Sequence, residues 1–252
     1  MSAAAQHHGP LDQFAIQRYV DIELGGMDIS FTNSAMMMVL AVVVITMLMT
    51  MSVRTRRLVP TRMQSVVESL YELVARMLGD NVGPEGRKYF PFIFSLFMFV
   101  LFCNALGLLP FGVVGLHSFT PTSHIIVTFA LASVVFIGVT IIGLIKHKLH
   151  FFSLFMPTGV PMYMAPLLVP IEIVSYLARP VTLSLRLFAN MMAGHTMLAV
   201  FGSFVALLGI FGFAPFLVIV ALMALEVVVA LLQAYVFTIL TCLYLNDALH
   251  LH

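Results

Sequence analysis

No lysine, arginine, aspartate or glutamate occurs from Tyr89 to Ile145 of this 252-residue chain. A helix crosses the hydrocarbon of a bilayer in about 20 apolar residues, so this stretch is too long for one crossing and must hold two. Composition extends the point to the whole chain, which is 61% hydrophobic and 9% charged with a mean hydropathy of +1.07. Ordinary soluble domains carry about 25% charged residues, so a soluble core does not explain the sequence.

The fold class expected is an all-α polytopic membrane protein, read as one membrane domain over residues 1–252. Five spans are placed at 34–51, 90–109, 121–145, 164–210 and 213–245. The stretch 61–79 reads instead as an amphipathic helix on the membrane surface. Thr61 and Gln64 fit a capping box behind Pro60, and Gly79 suits the stop. Val66, Val67, Leu70, Leu73, Val74 and Met77 make an apolar face at helical spacing, and Glu72 with Arg76 makes a favourable i,i+4 pair.

The linker after span one, R-T-R-R-L-V-P-T-R, and Lys146 and Lys148 after span three hold nearly all the flanking basic residues. By the positive-inside rule these ends face the cytoplasm, which puts the N-terminus outside and the C-terminus inside. The polar start, M-S-A-A-A-Q-H-H, has no basic region ahead of an apolar one and does not read as a cleaved signal. The last two spans follow a proline-rich approach with Pro157, Pro161, Pro166 and Pro170. About 30 residues at 1.5 Å each exceed about 30 Å of hydrocarbon, so these spans must tilt steeply, kink at Pro180 and Pro215, or both. No inverted repeat relates the halves, which weakens an alternating-access transporter.

Polar residues inside such spans are expensive and so informative. Arg186 cannot give up its proton, and at a bilayer centre it costs at least about 2.5–3.5 kcal/mol on insertion scales. On a helical wheel Glu172, Arg179, Arg186 and Asn190 share one stripe, with Glu172 roughly 21 Å from Arg186. On the final span Glu226 and Gln233 are two turns apart on one face. Counting back from the turn near Gly209–Pro215, His195 reaches the depth of Glu226, and Arg186 that of Gln233. This ordering describes two offset proton paths: an outer acid–imidazole pair, a fixed cation as gate, and Glu172 within. At 4 Å and an effective dielectric of 20, Arg186 would favour an ionised carboxyl on a partner by about 4 kcal/mol.

Plainer readings stand beside these. Glu172 and Arg179 lie near the cytoplasmic boundary, where an interfacial role is open to both. Asn104 and Gln233 are equally suited to joining helices. Met36–Met38 reads as lipid-facing packing, and Cys103 and Cys242 as packing residues without a disulfide or metal pattern. His7, His8, His250 and His252 are terminal; His147 and His150 have no carboxylate nearby. No metal or cofactor is expected, and a net charge of +1 points to no nucleic-acid partner. A phosphate-binding Gly-rich loop of the P-loop kind is absent from the sequence. The alternative functions are a stand-alone proton or ion channel or transporter, a haem- or quinone-binding subunit, and a purely structural anchor.

The run L-R-L-F-A-N-M-M-A-G-H, followed by E-V-V-V-A-L-L-Q-A-Y-V-F-T-I-L-T, strongly resembles subunit a of the rotary F-type ATP synthase, as does C-N-A-L-G-L-L-P. The resemblance implies a stator whose last two helices are held, steeply tilted, against a rotor ring of c subunits that each carry a mid-membrane carboxyl. Arg186 then matches the essential stator arginine. Asn190, His195, Glu226 and Gln233, with Asn104, match the outer half-channel, and Glu172 matches the inner acid. It further implies b-type peripheral stalk and other ATP synthase subunits as partners, and nucleotide chemistry on those other subunits. The membrane implied is a bacterial plasma membrane, with the mitochondrial inner membrane as alternative. Many bacterial members carry the acid and the histidine of the outer pair exchanged, as they are not here, and some have an acid at the position of Gly107.

Overall fold

The computed structural model describes residues 18–20, 23–24, 27–28, 30–54, 61–109, 120–148, 151 and 164–250. Most of the arginine-rich linker (55–60), the linker 110–119, Pro157, Pro161, His7, His8, His150 and His252 lie outside these residues. Six α-helices follow in order among the described residues: α1 Asn33–Arg54, α2 Arg62–Val82, α3 Phe90–Leu108, α4 Ile125–His147, α5 Ala165–Leu208 and α6 Phe213–Leu249. Two short antiparallel ladders precede them. β1 (Arg18–Val20) pairs with β4 (Phe31–Thr32), and β2 (Glu23–Leu24) pairs with β3 (Met27–Asp28). Strands of two or three residues are too short to display an alternation, so the sequence reading contains none of them.

Among the described residues, five helical stretches are long and apolar enough to cross a membrane: Asn33–Val53, Pro84–Leu108, Ile125–His147, Pro166–Leu208 and Phe213–Leu249. The chain is an all-α polytopic membrane protein. Its outward side chains are of the kind a lipid solvent accepts: Val39, Val42, Val43 and Met47 on α1, Val174 and Leu177 on α5, Val227, Val228, Leu231 and Leu232 on α6. Met37 departs from the lipid-facing reading. It is buried, in a cluster with Ala41, Cys103 and Leu106.

A helix forms where the amphipathic one is expected, with different ends. Thr61 Oγ1 accepts from the Gln64 backbone N–H at 3.4 Å. The reciprocal half of the capping box does not form, because Gln64 Nε2 turns to Glu68 at 2.8 Å instead. The helix runs through Gly79 and stops at Gly83, whose φ of 78° suits a residue without Cβ and whose N–H bonds Gly79 O. Of the expected apolar face, Val67, Val74 and Met77 are buried, whereas Val66 and Leu73 are exposed. Glu72 and Arg76 pair at 3.1 Å on the exposed side.

α5 is 44 residues long and continues through Pro170 and Pro180. Pro215 lies in the first turn of α6, where a missing N–H forfeits no helical bond, so it begins that helix and does not kink it. A single 3-10 turn, Gly209–Gly212, joins the two, with Gly209 at a φ of 54°.

The chain divides into two compact units. The first contains residues 1–46, 99–124 and 188–233, and so holds the ladders, the start of α1, the end of α3 and the halves of α5 and α6 next to their shared turn. The second contains residues 47–98, 125–187 and 234–252. There Tyr71, Phe90 and Phe94 form a ring cluster with centroids 4.6–5.8 Å apart. Phe136 lies 4.9 Å from the Tyr176 ring, and the Tyr176 hydroxyl meets Thr140 Oγ1 at 2.7 Å, which ties α4 to α5.

Candidate functional site

The first unit gathers most of the polar residues singled out in the sequence. His195 on α5 and Glu226 on α6 come together, with Nδ1 3.5 Å from Oε1. Glu226 is buried, and its carboxyl oxygens receive no hydrogen bond among the described residues. Such a group, without neutralisation or pairing, is costly to bury, and among the described residues the imidazole is placed to compensate it. The other ring nitrogen of His195, Nε2, meets Thr120 Oγ1 at 2.7 Å.

Two glycines make this approach possible. A Cβ on Gly194, the residue before His195, would stand 2.8 Å from Glu226 Oε1. One on Gly107 would stand 2.0 Å from Thr120 Oγ1. A cavity of about 300 Å³ opens beside the pair, lined by Gly107, Leu108, Leu198 and Met223 with His195 and Glu226 themselves.

Deeper along the same helices, Asn190 Nδ2 donates to Gln233 Oε1 at 2.9 Å. The amide of Gln233 thus meets the polar stripe of α5 at Asn190. Asn104 is fully buried on α3. Its Nδ2 donates to Ala230 O at 3.3 Å, and its Oδ1 accepts from Thr122 at 2.8 Å. Both arms of the amide are thus spent joining α3 to α6 and to the turn 120–123.

The second unit holds the other candidates, on α5. Arg179 does not stay free on the stripe with Glu172. Its Nη1 pairs with Asp247 Oδ2 of α6 at 3.0 Å, and its guanidinium lies 5.3 Å from the Tyr176 ring and 5.1 Å from the Tyr244 ring. Arg186 is exposed and makes no ion pair or hydrogen bond among the described residues. Glu172 is half-buried and likewise makes no ion pair among them. A guanidinium and a carboxylate in apolar helices are costly groups of the kind that mark functional sites.

A family model described as ATP synthase A chain matches residues 34–246. The chain belongs to that family. Among curated relatives it is similar to ATP synthase subunit a of Paramagnetospirillum magneticum, 57% identical over 247 residues that cover 96% of this chain and 99% of the relative. It is 54% identical to ATP synthase subunit a of Pelagibacter ubique over 96% of this chain and 98% of that one. The Rhodospirillum rubrum subunit is 53% identical over 97% of this chain and all of its own length.

The matched region of this ATP synthase A chain family member includes Asn104, Glu172, Arg186, Asn190, His195, Glu226 and Gln233. Sequence reasoning missed Thr120, Thr122 and Asp247. A threonine beside a proline carries no signal of what its hydroxyl meets once the chain folds back. Asp247 was hidden by ending the last span at Leu245, whereas α6 runs on to Leu249.

Proposed function

We propose that this chain is the proton-conducting stator subunit of a rotary ATP synthase, seated against a ring of c subunits and held by b-type stalk subunits. Protons enter from the outer side past His195 and Glu226, with Asn190 and Gln233 as uncharged polar steps, and load a carboxyl on the ring. After nearly a full turn they leave past Glu172. Arg186 faces the ring carboxyl, holds it ionised between the two paths, and blocks a direct leak because a fixed cation repels a passing proton. The N-terminus lies outside and the C-terminus in the cytoplasm of a bacterial plasma membrane. Each proton moving down 100 mV supplies about 2.3 kcal/mol to this rotation.

The observation that carries the reading is the separation of roles. A titratable pair, His195 with Glu226 at 3.5 Å, lies beside a cavity, while Arg186 stays exposed with no ion pair among the described residues. The other arginine of the same stripe, Arg179, is neutralised by Asp247. An internal structural role would have paired both.

The test is Arg186→Ala in the assembled complex in membrane vesicles. Proton-driven ATP synthesis should be lost; synthesis at the unmodified rate would exclude the mechanism. Purified chain in liposomes separates the rival channel, since selective proton flux without a ring would favour that rival.

A further inference from the structure

We propose that Thr120 is a positioning residue of the outer proton path, setting which nitrogen of His195 faces Glu226. This rests on the reading of His195 and Glu226 as a proton relay. A neutral imidazole has one N–H and one bare nitrogen, and the bond made by one nitrogen determines the state of the other. Thr120 Oγ1 lies 2.7 Å from Nε2. With the hydroxyl accepting from Nε2–H, Nδ1 is left as a lone pair directed at the carboxyl 3.5 Å away. A protonated Glu226 can then pass its proton to Nδ1: one O–H bond breaks, one N–H bond forms, and a neutral pair becomes carboxylate and imidazolium. The reverse step restores it. The Nε2 proton stays on the ring throughout, hydrogen-bonded to Thr120 Oγ1.

Thr120 is built into this position. Its side chain is buried, and its carbonyl accepts from Ser123 Oγ at 2.7 Å and Ser123 N at 3.0 Å. Pro121 follows it, and Thr122 fastens the same turn to Asn104. Gly107 leaves the space its side chain fills. The usual fate of a threonine in this molecule is different: Thr196, Thr238 and Thr241 each return their hydroxyl to the carbonyl four residues back in their own helix. Thr120 Oγ1 instead meets a ring nitrogen 75 residues away.

The experiment compares Thr120→Val, which keeps the shape and removes the hydroxyl, with Thr120→Ser, which keeps the hydroxyl. ATP-driven proton pumping is measured in vesicles holding the assembled complex, normalised to the amount of complex, with Glu226→Gln alongside. Thr120→Val should slow pumping about tenfold, less than the roughly 10²–10⁴-fold that a proton-transfer group itself contributes, and Thr120→Ser should stay within about twofold of the unmodified protein. If Thr120→Val prevents assembly, Thr120→Ala takes its place. Pumping at the unmodified rate in the valine variant while Glu226→Gln has lost it overturns the role of Thr120 alone. Equal losses in the valine and serine variants also overturn it, because the hydroxyl is then not what matters. Unimpaired pumping in Glu226→Gln overturns the relay itself, and this inference with it.

Discussion

His195 and Glu226 face each other because each stands thirteen residues from its end of the turn that joins α5 to α6. The two helices leave the Gly209–Gly212 turn together, and equal counts along equal rises bring the imidazole and the carboxyl to one level. Their 3.5 Å separation is therefore set by chain length from a fixed point as much as by local packing.

A pair defined this way should tolerate exchange. His195→Glu combined with Glu226→His should pump protons faster than either single substitution, with a coupling of about 1–2 kcal/mol expected of residues in direct contact. Pumping rates of the three variants at equal complex content measure it. A double variant no better than the worse single one would argue against a direct partnership.

Asn190 and Gln233 should behave as one unit. Removing either side chain with leucine breaks the same 2.9 Å bond, so the second substitution should add little to the first. The expected non-additivity is about 0.5–1.5 kcal/mol, the net value of one hydrogen bond, read from a double-mutant cycle on thermal unfolding.

Asp247→Asn should destabilise the chain by about 1 kcal/mol, the upper end for a pair that is partly exposed. The side chains of Arg179 and Asp247 retain 22% and 38% of their exposure, which keeps the figure small. Arg179→Lys should also lose stability, because an ammonium does not reproduce a planar guanidinium against the Tyr176 and Tyr244 rings. Thermal melts of the detergent-solubilised protein check both; a melt unchanged in each would remove the pair from any structural account.

Asn104→Leu should cost more, about 1–3 kcal/mol, since it leaves Thr122 Oγ1 and Ala230 O without their buried partner. Loss of assembled complex at elevated temperature, relative to the unmodified protein, is the measurement.

The helices were legible because their cause is in the sequence: uninterrupted apolar runs longer than a bilayer needs. The His195–Glu226 contact was legible for the same kind of reason, since one tight turn reduces the problem to counting. Counting is accurate to about one helical turn. Gln233 stands 20 residues from the turn, midway between Asn190 at 18 and Arg186 at 22, so counting alone does not choose between them. Thr120 was beyond reach, because its place depends on a fold-back allowed by a glycine on another helix. Gly79 and Gly83 could not be told apart as helix ends from composition; the backbone twist that only Gly83 adopts makes the difference.

The missing side chain at position 194 sets two kinds of selection against each other. Alanine in a helix interior is ordinarily favoured over glycine by roughly 0.5–1 kcal/mol, and the atom it would press on is the movable tip of Glu226. A screen for heat tolerance should therefore accept alanine at this position, while a screen for growth on proton-driven ATP synthesis should reject it. Disagreement between the two screens at a single residue would mark where the chain keeps a less stable helix so that an acid can reach its base.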